Sequence, residues 1–66
     1  MFDTSAVWEA INTSGVYHCD IDYRVSHGLM EQIRNEADLN NKSISLRLDF
    51  KHSFSRPSLI VINKES

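Results

Sequence analysis

Between positions 16 and 25 apolar and polar residues alternate without a break. Tyr17, Cys19, Ile21, Tyr23 and Val25 share one parity, and His18, Asp20, Asp22 and Arg24 the other. A period of two marks a strand with one face buried. The run over 43–51 repeats it, with Ile44, Leu46, Leu48 and Phe50 against Ser45, Arg47, Asp49 and Lys51, and predicts a second strand of the same sheet. The third run, Ser58-Leu59-Ile60-Val61-Ile62, is apolar at both parities. It predicts a strand enclosed on two faces or one that leaves an apolar ridge at the surface.

The remaining segments carry helical spacing. Val7, Trp8 and Ile11 predict a helix over 4–13, with Asp3, Thr4 or Ser5 available as its cap and Gly15 where a left-handed terminating residue belongs. A second helix is predicted from Ser26 as cap, its stripe formed by Leu29, Met30, Ile33 and Ala37, and its end at Asn40-Asn41. Glu31 with Arg34, and Arg34 with Asp38, are spaced for weak ion pairs on its outer side.

The element order is therefore α-β-α-β-β, a small two-layer α+β domain spanning 1–66 without repeats or linkers. A strand-helix-strand crossover makes the first two strands parallel, and the 51–56 connection makes the third antiparallel to the second. Two-sided apolarity favours the third strand in the middle, because a central strand is protected at both edges. The expectation is a three-stranded mixed sheet in the order 1-3-2, with both helices on its tyrosine side. Pro57 fits at a strand start, where its missing donor is tolerated.

Composition narrows the role. A chain of 66 residues buries only about 60% of its unfolded surface, so self-association is a natural source of added stability. The single Cys19 forms no internal bridge and points to a reducing cytosol. The first residues lack a basic leader, and no apolar run reaches the roughly 20 residues of a membrane span, so neither secretion nor a membrane role is expected. With 24% charged residues and a net charge of −2, no global attraction to nucleic acid or anionic lipid arises.

Chemistry-bearing spacings are sparse. His18 and Asp20, with Asp22 or His52, form a weak metal-ligand pattern without the dense spacing of known sites, and no metal or cofactor is expected. Cys19 could pair with His27 or His52 as nucleophile and base, but its parity points it into the core, away from His18 on the opposite side, and Ser26-His27-Gly28 lacks a nucleophile elbow. Asp20 and Asp22 sit beside arginines that neutralise them, and no pattern predicts a pocket for a small-molecule substrate, so the chain is expected not to be an enzyme.

What the sequence offers instead is a contact surface. The uncovered sheet face carries either Leu59 and Val61 or Ile60 and Ile62 along its centre, flanked by charges, which is the anatomy of a protein interface. Phe54, set between serines with Arg56 beside it, is the natural anchor if it faces solvent. The partner-binding residues expected are Asp20, Asp22, Arg24, Arg47, Asp49, Lys51, Phe54, Arg56 and Val61. The expected role is a cytoplasmic protein-interaction module, a homodimer or an adaptor or inhibitor of a larger protein. The alternative is a nucleic-acid-binding regulator using Arg and Lys on the sheet face, although Tyr17 and Tyr23 have the wrong parity for base stacking there.

Overall fold

The computed structural model describes residues 1–65; Ser66 lies outside the described residues. The elements are α1 (Ser5–Thr13), β1 (Val16–Asp20), α2 (Tyr23–Leu39), β2 (Ile44–Asp49) and β3 (Ser58–Asn63). The sheet order is β1-β3-β2, with the doubly apolar strand in the middle as its composition requires. Both pairings are antiparallel, so the sheet predicted as mixed is antiparallel at every ladder; β1 and β2 run parallel but never touch.

Register fixes what each face carries. Tyr17 and Leu46 flank Val61, and Cys19 and Leu48 flank Leu59, on one side. On the other, Val16 and Ser45 flank Ile62, His18 and Arg47 flank Ile60, and Asp20 and Asp49 flank Ser58. The first side is the core: Leu59 and Val61 pack with Val7, Ile11, Ile21 and Ile33, and Trp8, Tyr17, Cys19, Leu29, Met30, Ile44, Leu46 and Leu48 complete the cluster. Both helices therefore cover one face and leave the other open.

The first strand is shorter than its alternation predicts. Asp22 has extended backbone and its side chain accepts from the Arg24 N–H at 2.9 Å, which makes it the N-cap of α2. Tyr23, Arg24 and Val25 thus begin a helix. Ser26, predicted as the cap, lies inside the first turn, where its buried hydroxyl donates to the Tyr23 carbonyl. At the other end Asn41 adopts φ 55°, with Asn41 N–H bonded to Asp38 O and Lys42 N–H to Ala37 O, a Schellman termination. Gly15, at φ 83°, turns the chain from α1 into β1. The predicted Glu31–Arg34 and Arg34–Asp38 pairs are absent among the described residues; His27 and Glu31 approach instead, at 3.9 Å.

The N-terminal residues strap α1 to α2. Phe2 exchanges two hydrogen bonds with the Gln32 carboxamide, its N–H donating at 2.9 Å and its carbonyl accepting at 2.7 Å. Thr4, at the cap position of α1, makes no cap bond, and its hydroxyl donates to Glu36 at 2.6 Å. Phe2 also lies over Gly28, where an added Cβ would meet its ring at 3.3 Å.

Candidate functional site: the open face and the 50–57 loop

The open face has an apolar stripe and a charged rim. Val16 and Ile62 are 45% and 40% exposed, and Ile60 is half-buried between His18 and Arg47. Asp20 accepts from the Ser58 hydroxyl at 3.1 Å. Val61, expected among the contact residues, has the parity of the core and is 0% exposed. It takes no part in a surface. Asp22 and Arg24 are likewise not sheet-face residues. They cap α2 as a close ion pair at 2.7 Å, which holds the Asp22 carboxyl down to about 2, with the nearby Arg56 contributing.

The loop joining β2 to β3 is an ordered scaffold. Asp49 accepts from Lys51 N–H at 2.9 Å, and the Ser53 hydroxyl accepts from the N–H groups of Ser55 and Arg56. The loop is bonded to the chain leaving β1, where Tyr23 N–H donates to Ser55 O and Ile21 N–H to Pro57 O. These bonds present Phe54 outward, 82% exposed. Its ring stacks at 5.7 Å on Phe50, which in turn meets Tyr23 edge-on at 5.7 Å. The result is a three-ring aromatic run at the N-terminal end of α2.

This run was only partly foreseeable. Phe54 reads as a loop aromatic, but Tyr23 and Phe50 carry core parity if both strands are extended to the ends of their alternation. Early termination of β1 at Asp20 and β2 at Asp49 brings both rings to the surface. Across the described residues no three His, Cys, Asp or Glu side chains cluster as metal ligands, and no helix is long and apolar enough to cross a membrane. Tyr17 is raised above its ordinary value by its hydrogen bond to Cys19 and by burial, in keeping with a thiol lodged in the core layer.

Comparison with protein-family models, curated proteins and solved structures returned no match.

Proposed function

We propose that this chain is a small cytoplasmic protein-binding module that occludes or tethers a larger protein, docking through the Tyr23–Phe50–Phe54 run with the open sheet face as a second contact. The observation that carries the reading is Phe54: a ring 82% exposed, yet held by a hydrogen-bonded loop and supported by a second aromatic. Ordering a side chain on binding opposes affinity. An aromatic already fixed by its loop avoids much of that cost, and aromatics and arginine dominate interface energies. Charge supports an acidic, partly apolar partner. Asp22 is paired with Arg24, and neither Lys51 nor Arg56, close to Phe54 in sequence, forms an ion pair among the described residues, so both cations can meet a partner. On the open face Arg47 alternates with Asp20 and Asp49, a mixture better suited to protein than to a phosphate backbone.

The test is capture of partners from a native lysate by the wild type and by the folded Phe54→Ala and Arg56→Ala variants. Loss of about tenfold or more in affinity for a given partner on Phe54→Ala is expected of an anchor. Undiminished capture by both variants removes the loop from the interface. A second copy of the chain, detected as a concentration-dependent molar mass that Phe54→Ala abolishes, identifies the partner as the protein itself.

A further inference from the structure

At the opposite end of α2, some 25 Å away at 1.5 Å per residue, a cleft of about 330 Å³ is lined by Trp8, Asn12, Asn40 and Lys42. That is the small end of ligand sites, which run roughly 300–1,000 Å³.

A side-chain hydrogen bond holds one residue of each wall, Trp8 and Asn40. Trp8 and Asn12, four apart on α1, stand on one face of the helix. The indole N–H donates to Glu36 at 2.7 Å, and the same carboxylate accepts from Thr4 and Gln32. This sets the orientation of the ring, which packs against the core on one side and contributes to the lining of the cleft. The facing wall is the Schellman turn. Asn40 donates its side-chain amide to Glu36 O at 2.8 Å, and Lys42 is placed by its N–H bond to Ala37 O at 2.8 Å. The Glu36, Ala37 and Asp38 carbonyls are all bonded, which reduces the negative character of this helix end without removing it, and Lys42 is the cation set against it. Lys42 forms no ion pair among the described residues.

A fixed indole, two carboxamides and an ammonium outside any ion pair form a recognition set. Bases stack on indole rings, asparagine matches the polar edge of adenine, and lysine serves phosphate as a point charge. We propose that this cleft binds a nucleoside monophosphate, free or as one unit of a single strand, with the base on Trp8, its edge at Asn12 and Asn40, and the phosphate at Lys42.

Trp8 is the single tryptophan of the chain, so its fluorescence reports the site directly. The intact protein is titrated with adenosine monophosphate, adenosine, inorganic phosphate and oligoadenylate, with calorimetry on the same samples. The monophosphate is expected to quench saturably, and adenosine to bind about tenfold more weakly for want of the charged contact. Lys42→Gln should reduce the monophosphate to the affinity of adenosine, while Asn12→Ala weakens both. Tighter binding of oligoadenylate assigns the site to a strand; equal or weaker binding assigns it to the free nucleotide. Linear quenching matching that of free N-acetyltryptophanamide, equal affinity for nucleoside and nucleotide, or indifference to Lys42→Gln overturns the proposal. Phe54→Ala leaves this binding intact, so the two proposals stand or fall separately.

Discussion

Glu36 joins more of the molecule than any other side chain described. Its carboxylate takes the Thr4 hydroxyl, the Trp8 indole and the Gln32 amide, and these donors hold it below its ordinary value of 4.5, Thr4 contributing most. A carboxyl depressed in the folded state stabilises fully above its unfolded value, and that contribution is lost as pH falls through the folded value. Asp22, held to about 2, has the same sign and extends the loss to lower pH. Urea midpoints should therefore decline from about pH 4.5 downward, and less steeply in Glu36→Gln. Glu36→Ala should cost about 1 kcal/mol at neutral pH, given its partly exposed position, with a shift in Trp8 emission. Beyond the i,i+4 spacing of Gln32 and Glu36, this hub is not legible in the sequence, because Thr4 and Trp8 lie 32 and 28 positions from Glu36 and only packing unites them. Parity, by contrast, separates Val61 from Ile62 once the covered face is known. Val61→Asp buries a charge in the core and should abolish folding, whereas Ile62→Asp, at a 40% exposed site, should leave the thermal midpoint nearly unchanged. Thermal melts followed by circular dichroism check both.

The boundary between β1 and α2 shows how two local signals compete at the level of elements. Alternation through Val25 favours extended chain, but aspartate at 22 favours helix initiation, and the cap prevails: Ile21 is buried, Asp22 bonds Arg24, and the chain turns into α2. Asp22→Ala should lower the thermal midpoint by several degrees and fray the first turn, as amide exchange across 23–26 would reveal. Helix stripes and the central position of β3 were legible, because each rests on residue types that only one environment satisfies. The ends of the strands were not, since alternation continues past the last paired residue. Hydrogen-bond direction within β1 is equally specific. Ile21 N–H meets Pro57 O and Asn63 N–H meets Gly15 O, so odd positions bond β3 and even ones face the outer edge. The amides of Tyr17 and Cys19 should exchange slowly and those of His18 and Asp20 quickly, a contrast that tests the register residue by residue.

At the scale of the whole molecule, two helices over one sheet face give a body of 31 × 23 × 16 Å, thin enough that every core side chain matters. Leu59, fully enclosed, should cost about 2–5 kcal/mol on truncation to alanine, against a total stability of roughly 3–10 kcal/mol for a chain of this length; equilibrium denaturation measures it. The apolar ridge near the C-terminus divides accordingly. Leu59 and Val61 close the core, while Ile60 and Ile62 remain on the open side. The order β1-β3-β2 has a further bearing on biosynthesis. The strand that bridges the other two is the last of them to leave the ribosome, so β1 and β2 have no ladder to join until it emerges. At about 5–20 residues per second, the interval from the end of β2 to the end of β3 leaves both segments unmated for about 1–3 seconds, a window in which chaperones or neighbouring polysome products can reach them.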